Sequence, residues 1–154
     1  MKKITLFLVF LLMTVMSAFA EPLPDVVKQR IREVYAHEYP DDYSMQKALI
    51  DDQFESYRFL QQWDSETGIP QKVLLKERDF YAQKYPDDYS MQKVLIQDQC
   101  DSYLFLLSYK PDSGVPHNVL TNIKQKYAKE YPYDFSMQKA LVEDQVKSYL
   151  ELQR

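Results

Sequence analysis

The sequence predicts an all-α fold of three tandem helix-turn-helix units of about 46 residues. Six helices would form a short solenoid-like array, with a compact helical bundle as the alternative packing. Three observations lead there. The block Tyr39-Pro40-Asp41-Asp42-Tyr43-Ser44-Met45-Gln46-Lys47 returns unchanged as Tyr85 to Lys93, and with two changes as Tyr131 to Lys139; Pro40, Pro86 and Pro132 stand 46 residues apart. The apolar positions of the first segment, Val27, Ile31, Val34, Tyr35 and Tyr39, have helical spacing, and Val119, Ile123, Tyr127 and Tyr131 repeat it. All eight prolines and both glycines fall near the junction after residue 20 or at the predicted helix boundaries, none inside a predicted helix.

Residues 1–20 read as a signal peptide of bacterial type. Lys2 and Lys3 open it, an apolar run from Ile4 to Met16 is broken only by Thr5 and Thr14, and Ala18-Phe19-Ala20 gives the small-x-small pattern for cleavage after Ala20. An uncleaved anchor is the rival reading, but the run is shorter than the roughly 20 apolar residues that span a bilayer. The expectation is a periplasmic or secreted chain over residues 21–154, with no stable membrane insertion once the leader is gone. Its units run about 24–69, 70–115 and 116–154.

Within each unit, Pro24, Pro70 and Pro116 suit the first helical turn, where no amide donor is needed. The first helix should stop near Tyr39, because a residue before proline avoids the helical region. Pro40, Pro86 and Pro132 make the turn, and Asp42, Asp88 and Asp134 cap the second helix. Asp41 is the weaker cap, since its third equivalent is Tyr133; Ser44 is a further candidate. The second helix runs from about Tyr43 to Gln62. Linkers follow at Asp64 to Ile69 and Pro111 to Val115, carrying Gly68 and Gly114.

Composition narrows the function. There are 19 Lys+Arg against 23 Asp+Glu, a net charge of −4; without Lys2 and Lys3 the balance is 17 against 23. That argues against nucleic acid as partner, because phosphate binding needs clustered Lys and Arg. Two glycines, two histidines and one cysteine leave no phosphate cradle, disulfide framework or Cys/His zinc site, and no cofactor or metal is expected. His37 is replaced by Gln83 and Lys129 in the other units, and neither it nor His117 has an evident nucleophile partner, so the chain is read as non-catalytic. Cys100, equivalent to Phe54 and Val146, reads as a small buried hydrophobe, with an intermolecular disulfide or reactive thiol as the alternative.

Residues shared by all three units define the candidate sites. Asp52 and Ser56, Asp98 and Ser102, Asp144 and Ser148 are each four apart, and together they form a polar ladder with Lys47, Lys93 and Lys139 near its N-terminal end. The ladder is either a binding groove or a set of hydrogen bonds between units. Gln46 and Gln53 lie on an otherwise apolar stripe and are expected to hold the turn or an adjacent helix. Met45, Met91 and Met137 are expected in the core. Tyr35 with Tyr39, and their copies, are a second candidate surface.

The functional expectation is an exported protein-binding module, in its specific form an inhibitor or immunity-type factor for a basic envelope protein. The alternatives are a structural, self-assembling envelope protein forming homo-oligomers and, further off, a small-ligand carrier or enzyme.

Overall fold

The computed structural model describes residues 23–63, 68–111 and 114–154. The expected signal peptide lies outside the described residues, as do positions 64–67 and 112–113 of the two linkers. Six helices follow in order: α1 Asp25–Glu38, α2 Tyr43–Gln62, α3 Gln71–Lys84, α4 Tyr89–Ser108, α5 His117–Glu130 and α6 Phe135–Leu152. No strand occurs among the described residues, and the helices pack as a compact all-α bundle.

The odd-numbered helices begin one residue later than the prolines suggest. Pro24, Pro70 and Pro116 stand just before the first helical residue, with φ of −55°, −56° and −60° and extended ψ. Their carbonyls accept amides of the first turn, from Val27 at 2.9 Å, Val73 at 2.8 Å and Leu120 at 3.1 Å. The same helices end at a tyrosine whose N–H closes the last turn, Tyr39 onto the Tyr35 carbonyl and likewise Tyr85 and Tyr131. The turn then needs one left-handed residue: Asp41 at φ 68°, Asp87 at 64° and Tyr133 at 87°. Asp tolerates that region; Tyr133 carries more backbone strain.

Asp42, Asp88 and Asp134 cap the even-numbered helices by accepting from the amides of Met45, Met91 and Met137 at 3.0, 3.1 and 3.0 Å. The Met45 amide in particular holds the Asp42 carboxyl below the usual carboxylate range. Ser44 supports this cap by donating its hydroxyl to Asp42. A glutamine one turn into each helix locks the arrangement. The side-chain amides of Gln46, Gln92 and Gln138 donate to the carbonyls of Tyr39, Tyr85 and Tyr131 at 2.7, 2.6 and 2.6 Å.

Each odd-numbered helix packs on the even-numbered helix that follows it, and α4 also packs on both α2 and α6. One apolar cluster gathers Leu60, Ile69, Leu74, Tyr81, Ile96 and Cys100; a second gathers Tyr127, Val142 and Val146. Burial pushes the Cys100 thiol up to about 12, with Glu77 and Asp101 adding to the effect, so it is a poor nucleophile.

The methionines correct an expectation. Met45, Met91 and Met137 are 42%, 41% and 43% exposed rather than buried. They sit in the first turn of their helices at the margin of the buried face, where no neighbouring helix covers them.

The two clusters predict a graded response at one register. Ile96→Ala opens a cavity beneath α4 and costs roughly 2–5 kcal/mol. Ile50→Ala, at the half-exposed equivalent on α2, costs clearly less. Urea denaturation of the two variants reads the difference.

Candidate functional site

The even-numbered helices carry the side chains that the three units share, and Gln53 and Gln99 relate these helices to one another. Each is buried, and each reaches from one unit to the N-terminus of the next even-numbered helix. The Gln53 Oε1 accepts from the amides of Tyr89 at 2.7 Å and Ser90 at 3.3 Å. The Gln99 Oε1 accepts from Phe135 at 2.6 Å and Ser136 at 3.3 Å. Backbone N–H groups only donate, so the carbonyl oxygen must face them and the NH2 must face away. That NH2 meets acceptors. For Gln53 they are the Tyr35 hydroxyl, Asp88 Oδ1 and Ser90 Oγ at 3.0, 3.0 and 3.1 Å. For Gln99 they are Tyr81, Asp134 and Ser136 at 3.3, 3.4 and 3.2 Å. Amides that open a helix have no intrahelical partner, so one side chain supplies what the α4 and α6 termini need.

Further contacts recur at the same register. Tyr57 meets Tyr89 edge to face, ring centroids 5.1 Å apart, and Tyr103 meets Phe135 at 5.0 Å. Lys93 sits over the Phe59 ring and Lys139 over Phe105. Arg30 pairs with Asp87, and Lys76 covers the ring of Tyr133.

The polar ladder divides in this setting. Asp52, Asp98 and Asp144 are exposed, whereas Ser56 and Ser102 are buried and Ser148 is half-buried. Four residues is about 40° around a helix, and the edge of the buried face falls within that arc. Ser56 and Ser102 therefore belong to the packing between helices and are not surface groups beside the aspartates, while Ser148 keeps partial exposure. The lysines are also engaged: Lys47 pairs with Asp51, and Lys93 and Lys139 lie on the rings just named. Of the tyrosines, Tyr81 and Tyr127 are buried and Tyr39 is exposed.

The exposed margin beside the buried face carries a pattern that the sequence reading did not assemble. On α2 it runs Met45, Ala48, Asp52 and Glu55. On α4 it runs Met91, Val94, Asp98 and Asp101, and on α6 Met137, Ala140, Asp144 and Lys147. All are exposed. Their spacing of three and four would have grouped them, had the methionines not been assigned to the core.

Glu77 is a second residue the sequence reading missed. It is 3% exposed, in a position that holds Ile31 and Ile123 in the other units. A lone acid in an otherwise apolar register was the available signal. It lines a cleft of about 310 Å³ with Lys76, Phe80, Tyr81, Gln99 and Tyr133. Burial pushes its carboxyl up to about 7; Lys76 opposes the shift and Asp134 adds to it. Among the described residues, no three His, Cys, Asp or Glu side chains converge as a metal would require, and no helix is long and apolar enough to cross a membrane.

Two predictions follow from these geometries. Gln99→Ala strips the acceptor from two amides at the α6 terminus and costs about 1–3 kcal/mol in chemical denaturation, while Gln145→Ala, which removes no side-chain hydrogen bond among the described residues, leaves the monomer's stability nearly unchanged. Glu77 has a folded-state pKa above its ordinary 4.5, so folding takes up a proton between pH 4.5 and about 7. Its stabilising share is present below pH 4.5 and is lost as pH rises toward 7. Glu77→Gln flattens that slope and raises stability above pH 7 by roughly 1–3 kcal/mol, read from thermal unfolding across pH.

No protein family, curated protein or solved structure matches the chain, so the side chains themselves are the ground for a function.

Proposed function

We propose that the chain is an exported, non-catalytic helical-repeat protein that binds another protein, its three units arranged as a short solenoid-like array. The observation that carries this reading is the exposed methionine-aspartate margin, repeated on α2, α4 and α6. Methionine is unbranched and polarisable and adapts to irregular apolar surfaces, which suits it to binding faces. Beside it, Asp52, Asp98 and Asp144 offer carboxylates at matching positions. α4 packs on both α2 and α6, so the three helices that carry these margins are neighbours.

A partner complementary to that region bears Lys or Arg beside apolar side chains. The excess of acid, 23 Asp+Glu against 17 Lys+Arg without the leader, would steer such a partner toward the face over a distance set by ionic strength. With the leader expected over residues 1–20, the concrete form is an inhibitor or immunity-type factor for a basic envelope protein.

The test is titration against a panel of basic lysozymes and nucleases at low and high salt. At least one partner should bind, more weakly as salt rises. The Asp52/Asp98/Asp144→Ala variant, shown by circular dichroism to stay helical, should lose roughly threefold to a hundredfold in affinity, three exposed ion pairs contributing roughly 0.2–1 kcal/mol each. Salt-insensitive behaviour and no binding across the panel would remove this form of the proposal.

A further inference from the structure

We infer that a second copy of this chain docks head to tail, the α6 end of one copy meeting the α2 end of the next through the contacts that join α2 to α4 and α4 to α6. The inference goes beyond the protein-binding face above, because it uses the two ends and none of Asp52, Asp98 and Asp144.

The joint is already made twice within one chain, by different residues at one register. A buried glutamine, Gln53 and then Gln99, receives the first two amides of the next even-numbered helix. A tyrosine four residues on, Tyr57 and then Tyr103, meets the first side chain of that helix edge to face. A lysine of the incoming helix, Lys93 and then Lys139, lies on a phenylalanine of the outgoing one. A long polar side chain of the odd-numbered helix, Arg30 and then Lys76, reaches the left-handed residue of the next turn.

α6 keeps the outgoing half of this joint. Gln145 stands where Gln53 and Gln99 stand, Tyr149 where Tyr57 and Tyr103 stand, and Asn122 on α5 where Arg30 and Lys76 stand. Gln145 has no side-chain hydrogen bond among the described residues. α2 keeps the incoming half: Asp42 and Ser44 as at the other caps, Tyr43 as first residue, Lys47 and Asp41. Among the described residues both halves are more open than at the occupied joints, and Gln145 is half-buried where Gln53 and Gln99 are buried. Tyr43 is 73% exposed where Phe135, its equivalent at an occupied joint, is 9% exposed; Leu152 is 83% exposed where Leu60 is 4%.

The residues that differ at the ends are complementary to each other. Glu151 replaces the phenylalanine of Phe59 and Phe105, and the side chain facing it from the next copy is Lys47. A cation on a ring becomes an ion pair, for which Lys47 exchanges its exposed contact with Asp51. Asn122 faces Asp41, replacing an ion pair with a hydrogen bond. The amides of Tyr43 and Ser44 gain the glutamine that the amides of the other two even-numbered helices already have. Such a contact is heterologous, since each copy uses one surface to give and another to receive. It propagates into an open chain unless its rotation closes a ring.

The test is sedimentation velocity and light scattering on the chain expressed from its full sequence, up to millimolar concentration, with two end-blocked variants. Q145A/E151A blocks the outgoing end and K47E the incoming end; circular dichroism checks that both stay helical. Wild type should grow in mass with concentration past the dimer, and more weakly at high salt. Each variant alone should stay monomeric. Their equimolar mixture should stop at a dimer, because one variant retains an intact incoming end and the other an intact outgoing end. Wild type that remains a monomer throughout overturns the inference. So does wild type that stops at a dimer, variants that associate alone as wild type does, or a mixture that stays monomeric. The Asp52/Asp98/Asp144→Ala variant should assemble like wild type, so loss of basic-partner binding and loss of self-assembly are read separately.

Discussion

The structure depends on one polar contact repeated at depth: a buried glutamine carbonyl set over the first two amides of the next even-numbered helix. A helix terminus cannot be buried with its amides unpaired, and covering it with apolar side chains alone would leave that cost standing. Gln53 and Gln99 solve this with a group that is acceptor on one side and donor on the other. The oxygen meets the amides; the nitrogen meets the capping aspartate, the serine hydroxyl and a tyrosine. Because the amide can satisfy both only in one relative position, it fixes how far α4 advances along α2 and α6 along α4. The aromatic and cationic contacts around it then fall at equivalent places.

Equivalent positions have diverged where they do not serve that contact. The residue that is Ile31 in the first unit and Ile123 in the third is Glu77 in the second, and Phe54 and Val146 correspond to Cys100. Both substitutions place a titratable group in the middle of the protein, where burial holds each toward its neutral form. The left-handed turn residue has changed from Asp41 and Asp87 to Tyr133 along with its neighbour, a lysine over the ring replacing an arginine on the carboxylate.

Two kinds of surface remain, and they differ in chemistry. The margin of Met45, Met91 and Met137 with Asp52, Asp98 and Asp144 is exposed on every unit and is the face proposed for a partner with cationic and apolar side chains. The ends are exposed once each, and their groups are those that the interior joints consume. A surface present in three copies favours an extended ligand, whereas a pair of unlike ends favours propagation of the same chain. The serines between them, Ser56 and Ser102, serve neither, because they lie within the packing of the helices.

The sequence by itself determined the helices and, to within a residue, their boundaries. Helical spacing, prolines before and after each first helix, and an aspartate at each second one are local rules, satisfied within a few residues of where they act. It also marked Gln46 and Gln53 as polar groups on apolar stripes that must find partners, and it set the 46-residue register. What only the tertiary structure decided is which side of each stripe is covered. Asp52 and Ser56 share a helix face by spacing, yet one is exposed and the other buried, because the boundary is drawn by the neighbouring helix and not by the helix itself. For the same reason the methionines, apolar by composition, emerged at the surface. Gln53 found its partners 36 and 37 residues away, a distance over which spacing along one helix says nothing.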